Sequence, residues 1–420
     1  MSVVLLHTTN PSRRPHVTRV RDYCRAHGER LLIVMKDPTW EVDFADRVVS
    51  ADTTSIEQTL TAVRALAAQE REPVRGVLTF VEQSVPAAAA VAAELGLPCV
   101  DERAAYLARD KFAMRSAFAA VGLDQPRFEL AASLAQAREV ATRVGYPLIL
   151  KPLIGAGSKY VRRVDGDAEL AEHFDAIRRG AWDGFSHDPL YERTAERYDR
   201  AILLEEYIPG SEISVESVVR AGRTEVLAVH DKPLPMEGPF FYEVYFSTPS
   251  RLPAELVRRI GEATAAANSA LGIGIGATHT EFRVTAAGRA VILETAARLG
   301  GAAVYQSVLR STGVDMVTVL LDLATGRDTD LTVRDSPTPT GFYRIYAERA
   351  GELARFHGVE RYEQDPRVSE IALYHGVGDR ILIAPQLSGA HGHVVFSAAG
   401  MDDLDEVCAE LRREIRVEVR

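Results

Sequence analysis

The stretch GATHTEFRVTAAGRAVILETAARLGG, residues 276–301, decides how this chain is read. Two apolar runs, 278–285 and 290–295, flank a small polar segment containing Gly288, which is the pattern of a β-hairpin. With Ala287-Gly288 as a two-residue loop, pairing sets Val284 against Val291, Phe282 against Leu293 and Glu281 against Glu294. Directly opposed like charges destabilise a sheet, and neighbouring carboxylates resist ionising together. Either one glutamate flares into solvent or a cation sits between the two. Mg²⁺, with Mn²⁺ as a substitute, suits the second case, because it takes one or two carboxylates and leaves positions for water and phosphate. Arg298, four residues past Glu294 and followed after Leu299 by Gly300 and Gly301, adds a fork of donors suited to an anion in transfer.

Composition bounds the setting of this hairpin. At 420 residues the chain exceeds one ordinary core and predicts about two to four domains or subdomains. An apolar content of 46% with 26% charged residues is that of a soluble globular protein. No apolar run approaches a membrane span, and the start, MSVVLLHTTNPSRR, reads as a short strand rather than a signal peptide, so a cytoplasmic protein is expected. Cys24, Cys99 and Cys408 are too scattered for a disulfide framework or a zinc site. The net charge of −10 argues against a nucleic-acid partner. Of the 49 lysines and arginines only five are lysine (Lys36, Lys111, Lys151, Lys159 and Lys232), which leaves 44 arginines. Where arginine serves so generally, a surviving lysine points to a task for a compact, mobile charge, Lys36 being the exception ascribed to chance.

Working outward, residues 1–100 alternate strands (3–6, 31–35, 47–49, 76–80) with helices (17–27, 56–68, 86–95), which predicts an open parallel sheet. Ligands of such sheets lie beyond the carboxyl ends of the strands, which places Glu82 and Ser84 at a cleft; both also suit helix capping, Ser84 especially. No glycine-rich dinucleotide fingerprint follows the first strand. Residues 101–130 form a helical link carrying Lys111. A helix over 132–144 leads to a strand ending at Lys151, and Gly155-Ala156-Gly157-Ser158 is small enough for backbone N–H groups to approach an anion, with Lys159 entering the next strand. The strand 201–207 turns at Pro209-Gly210 into a second, SEISVESVV, with Glu205, Glu206 and Glu212 around the turn; the junction suits adenine and ribose recognition, or is a plain acidic surface turn. Residues 230–250, with Lys232 and Glu243, make a long connection, and loops of that length are more often functional than idle. A polar linker follows at 328–340, then GFYRIYAE, EIALYHGV and HVVFSAAG as strands and a last helix at 404–415.

The succession RDKFAMR, YPLILKP, GAGSKYV, LLEEYIPGSE, THTEF and VILETAARLGG resembles the ATP-grasp superfamily, and within it the carboxylate–amine ligases that include L-amino-acid ligases. The resemblance covers roughly residues 75–310. It implies an α/β (α+β) ATP-grasp fold: an N-terminal open parallel α/β domain over 1–105, an ATP-grasp domain over 106–330 with a small lid at about 130–205, and a small C-terminal α+β domain over 331–420. It implies ATP as cosubstrate with Lys111 and Lys151 on its phosphates, and residues Gly155, Ala156, Gly157, Ser158 and Lys159 closing over them. Glu205, Glu206, Tyr207 and Ile208 would line the adenine pocket, with Glu212 on the ribose. Glu281 and Glu294, with Glu243 as a further candidate, would hold Mg²⁺; Arg298 would stabilise the transferred phosphoryl group, with Lys151 assisting catalysis. Glu82, Ser84, Glu243, His279, Arg298, Gly300 and Gly301 are the candidates for the substrate pocket. The implied partners are a small-molecule carboxylate and an amine, with no nucleic acid or membrane, and the superfamily's habit of dimerising extends to a homodimer here. Two departures stand out: Ala296 occupies the place of a usual third oxygen ligand, Asn, and Ala302 follows the double glycine where related dipeptide ligases carry bulk. The expected reaction passes through an acyl phosphate with release of ADP. A carboxyphosphate-using carboxylase or purine-pathway enzyme is the alternative, and a non-catalytic nucleotide sensor the third.

Overall fold

In the computed structural model, residues 1–234, 239–386 and 389–420 are described, so residues 235–238 of the long 230–250 connection lie outside the described residues. The N-terminal region alternates β1 (Ser2–Leu6), α1 (Arg14–Ala26), β2 (Arg30–Met35), β3 (Arg47–Ser50), α2 (Ile56–Gln69), β4 (Val74–Thr79) and α3 (Val85–Leu95). Its four strands are parallel in the order β3-β2-β1-β4. Valine and leucine on both faces of β1 and β2 are fully buried, as a sheet covered on both sides by helices requires. The helical link is two helices, α4 (Glu102–Leu107) and α5 (Lys111–Ala120), broken where the Asp110 carboxylate accepts the Ala113 N–H and caps α5.

A second sheet, β5-β8-β6-β7, joins β5 (Phe128–Ala131), β6 (Leu148–Lys151), β7 (Arg162–Val164) and β8 (Ile202–Glu206), packed under α6 (Leu134–Val144) and α7 (Asp167–Asp183), with α8 (Tyr191–Arg197) beside it. Lys159 precedes β7 and lies in the turn between β6 and β7, not in a strand.

The third sheet has eight strands, β13-β12-β9-β10-β11-β14-β18-β16. It is built from β9 (Ser211–Arg220), β10 (Arg223–Lys232), β11 (Tyr245–Thr248), β12 (Gly276–Val284) and β13 (Ala290–Ala296), and continues through β14 (Thr340–Ile345), β16 (Val368–Leu373) and β18 (Gly392–Ser397). The strands of the last quarter of the chain thus extend the central sheet through the β11–β14 pairing, while β15 (Gly351–His357), β17 (Arg380–Ile381) and β19 (Arg416–Val419) form a small sheet. Helices α9 (Ala254–Leu271), α10 (Val304–Thr312), α11 (Met316–Thr325) and α12 (Met401–Glu414) pack on these strands.

Two readings of local pairing change. Strands β8 and β9 do not form a hairpin; they belong to different sheets, and Pro209-Gly210 is the crossing between them. Gly210 is required there: its φ is +123°, and a Cβ would meet Val284 O at 2.1 Å. In the acid hairpin Glu281 does face Glu294, but Val284 pairs with Ala290 and Phe282 with Ile292. The turn is one residue longer than a two-residue loop, with Gly288 at φ +73° and Gly288 N–H bonded to Thr285 O. A bulge at Leu293 absorbs the extra residue and restores the opposition of the two acids. Among the described residues no helix is long and apolar enough to cross a membrane.

Candidate active site

The period of two along a strand turns three short sequences into one polar surface on the central sheet. Glu212, Ser214 and Glu216 of β9 share a face; opposite them on β12 stand Arg283, Glu281 and His279, and on β10 Lys232 faces Glu212. The charges are arranged in opposition. Lys232, 3% exposed and the last residue of β10 rather than part of a loop, places Nζ 2.6 Å from Glu212 Oε1 and 2.8 Å from Glu281 Oε1, and also pairs with Glu243. Arg283 Nε reaches Glu212 Oε2 at 3.1 Å. Burial works against the ammonium, but its three carboxylates hold Lys232 well above the ordinary lysine range. Glu281 is likewise held well below the carboxylate range, burial being outweighed by Lys232 and His279. His279 donates from Nδ1 to Glu216 Oε1 at 2.6 Å; against the pull of burial, that carboxylate pushes the imidazole up to about 10. His279 therefore stands behind Glu281, with Nε2 3.5 Å from its carboxylate.

The second sheet faces this surface across a cleft. Lys111, Lys151, Gly155, Ala156, Gly157, Ser158, Lys159, Glu205, Glu206, Tyr207, Ile208, Glu212, Glu243, Glu281 and Glu294 all line it. Lys111 Nζ lies 3.1 Å from Glu294 Oε2. Lys151 donates to Glu205 Oε2 at 2.8 Å, and Arg115, fully buried on α5, donates to Glu205 Oε1 at 2.5 Å. Burial would raise the Glu205 carboxyl, but these two cations hold it at about 2. Glu205 thus aims Lys151 into the cleft, while burial lowers the Lys151 ammonium from its ordinary value. Glu206 pairs with Arg127, the Tyr207 ring has Arg163 4.4 Å above it, and Ile208 is buried. Gly155 packs so closely on Phe185 that a Cβ would sit 2.3 Å from the ring. Lys159 donates to Gly184 O at 3.4 Å and lies over the Phe185 ring.

The remaining candidates gather at the carboxyl ends of β1 and β4. Arg298 forms an ion pair with Glu82, whose other oxygen lies 3.4 Å from Arg109 Nη1; Arg109 in turn pairs with buried Asp188. Burial opposes it, yet Arg298 and Arg109 keep the Glu82 carboxyl below the usual range. Gly300 accepts from Arg13 at 3.1 Å, and Gly301 follows it. Ser84 is turned away from this crevice: it is fully buried, makes no side-chain cap, and shares a hydrogen bond of 2.8 Å with Thr53 Oγ1. The sequence left Arg13, Arg109, Arg115, Arg283, Asp188 and Glu216 unmarked. The alternation E-S-E at 212–216 against H-E-R at 279–283 was the available signal for Glu216 and Arg283; 44 arginines hid the rest.

Carboxylate oxygens are the ligands a hard divalent cation takes, and those of Glu212, Glu243 and Glu281 come within 4.8 Å of one another, with the Lys232 ammonium seated among them; Glu294, opposite Glu281 in the hairpin, pairs with Lys111. Ala296, 6% exposed, contributes no ligand.

Family models match three parts of the chain: an ATP-grasp N-terminal domain over residues 31–99, an ATP-grasp domain over 144–306, and an L-amino acid ligase C-terminal domain 2 over 344–420. The chain thus carries ATP-grasp domains and an L-amino acid ligase C-terminal domain, and it is a ligase. It is similar to the L-amino acid ligase of Bacillus licheniformis, whose crystal structure superposes with a TM-score of 0.83 at 25% identity, covering 100% of this chain and 98% of that one. Among sequences, it is 28% identical over 413 residues to the uncharacterized protein y4rH of Sinorhizobium fredii, covering 97% of this chain and 80% of that protein. It is 32% identical over 255 residues to the alanine–anticapsin ligase of Bacillus subtilis, covering 56% of this chain but only 51% of that enzyme's length.

Proposed function

We propose that this enzyme joins a small carboxylic acid to the amine of an amino acid, using ATP and releasing ADP and phosphate. The observation that carries the reading is the cleft itself: Lys111, Lys151 and the loop from Gly155 to Lys159 on one wall, and the acidic face with Glu281 and Glu294 on the other. Phosphoryl transfer asks for positioning and charge neutralisation more than covalent help. In this reading residues 106–330 enclose the nucleotide with 130–205 as lid, between units at 1–105 and 331–420. Lys151, aimed by Glu205, and Lys111 meet the phosphates; Tyr207 and Ile208 flank the base, and Glu212 meets the ribose. Glu281 and Glu294, with Glu243 nearby, would hold Mg²⁺, which would supply positive charge to neutralise the phosphates. A carboxylate oxygen of the acid bonds to the γ-phosphorus as the bond to ADP breaks. The amine nitrogen then bonds to the acyl carbon, phosphate leaves with the carboxylate oxygen, and the ammonium protons pass to solvent. Arg298 stabilises both the transferring phosphoryl group and the tetrahedral intermediate. The family's relatives that act on amino acids support amino acids as substrates, and a cytosolic setting supplies the ATP.

Incubation with ATP, Mg²⁺, pooled acids and hydroxylamine tests the reading, followed by an ADP-release screen over paired amino acids. ADP with a hydroxamate is expected. AMP in place of ADP, or bicarbonate-dependent ATP cleavage without hydroxamate, overturns it.

A further inference from the structure

The segment between β1 and α1 ends in Arg13, which the ligation reading leaves without a task. Arg13 is 5% exposed. Its Nη1 lies 2.9 Å from His16 Nε2 and donates to Gly300 O at 3.1 Å. Both partners are neutral, because burial and the nearby guanidinium hold His16 well below the ordinary imidazole range. Arg298 and Arg109 share Glu82, and Arg109 also holds Asp188. Glu82 and Asp188 are thus taken by Arg109 and Arg298, and neither forms an ion pair with Arg13. Burial, with Arg298 nearby, pulls Arg13 down to about 9 against the opposing pull of Tyr374 and Glu82, and among the described residues no carboxylate forms an ion pair with it. Tyr374, bonded to His393 Nδ1 at 2.5 Å and touching Ser12, walls the same place from the C-terminal region.

We propose that Arg13 binds the free carboxylate of the amine-bearing substrate, so that the acceptor is an α-amino acid held as a zwitterion, its ammonium at Glu82 and its carboxylate at Arg13. This rests on the ligation reading. The chemistry selects the acceptor, because the acid substrate loses its carboxylate charge when it becomes an acyl phosphate, whereas the amine donor keeps its own. The placement agrees. Arg298 stands four residues beyond Glu294, and Arg13 reaches the loop two residues beyond Arg298. A planar fork matches a fixed carboxylate better than an ammonium does.

The test measures kcat/KM for the amino acid that releases most ADP in the pairwise screen and for its primary amide, in the wild type, R13Q and R13K. Each ratio is internal to one preparation and so is independent of the folded fraction. The wild type should prefer the amino acid by about 10- to 100-fold, R13Q should erase that preference mainly through KM, and R13K should keep part of it. An unchanged ratio in R13Q overturns the proposal, as does a wild type that uses the amide equally well. If R13Q is insoluble, the ratio in R13K decides, an undiminished preference counting against Arg13. A wild type that makes hydroxamate yet fails these ratios sinks this inference alone; a wild type that makes none sinks the ligation reading beneath it.

Discussion

The cleft and the arginine cluster around Glu82 neutralise charge in opposite ways. The wall expected to meet phosphates uses Lys111 and Lys151, compact ammoniums on flexible stems, beside a loop of glycines and open space. The cluster beyond Arg298 uses Arg13 and Arg109, held by Gly300 O, Glu82 and Asp188. A triphosphate that moves and changes charge during reaction is served by adaptable point charges; a carboxylate that must stay still is served by rigid forks. In the proposed reading, charge placement separates a reacting end from a holding end.

The comparison breaks first if the reacting end is not where the acids are. E281Q with E294Q should lower ADP release at least about 10³-fold at saturating ATP, measured across a Mg²⁺ titration; parental turnover would remove the acids from the chemistry. Next, R298A should lower kcat about 10²–10³-fold with the KM for ATP little changed, and R298K should recover only part, because a single ammonium cannot reproduce the fork. A pure KM effect would move Arg298 to the holding end. A smaller change sharpens the phosphate wall: G155V places its side chain in the Phe185 ring at a φ of +105°, so the KM for ATP should rise about tenfold and the melting temperature should drop, at a strain of about 1–3 kcal/mol.

The smallest effect is in pH. His279 is raised to about 10, so its contribution to stability is full below the unfolded value of about 6.5 and is lost as pH rises through 10. Glu205 is depressed to about 2, so its contribution is present above the ordinary glutamate value and is lost as pH falls toward 2. Melting temperature against pH should therefore decline on both sides, and H279Q should flatten only the alkaline side.

Much of this was legible because single residues carried it. The alternation of β and α up to residue 100, the facing of Glu281 and Glu294, and the rarity of lysine each point to where the structure has an element or a pocket wall. What escaped needed partners distant in sequence. Pro209-Gly210 has the chemistry of a hairpin turn, and only the sheet assignment of β8 and β9 shows that the chain crosses there. The joining of β11 to β14 depends on a pairing about a hundred residues apart, which no local pattern encodes. Ser84 sits at a cleft by topology, yet its hydroxyl is claimed by Thr53.

The central claim is that the acid's own oxygen passes to phosphorus before the amide forms. Ligation run with a carboxylic acid labelled with ¹⁸O in its carboxylate, read by mass spectrometry of the products, tests this directly. One labelled oxygen in inorganic phosphate, with unlabelled ADP, is the predicted result; label in AMP, or unlabelled phosphate alongside amide product, would contradict it.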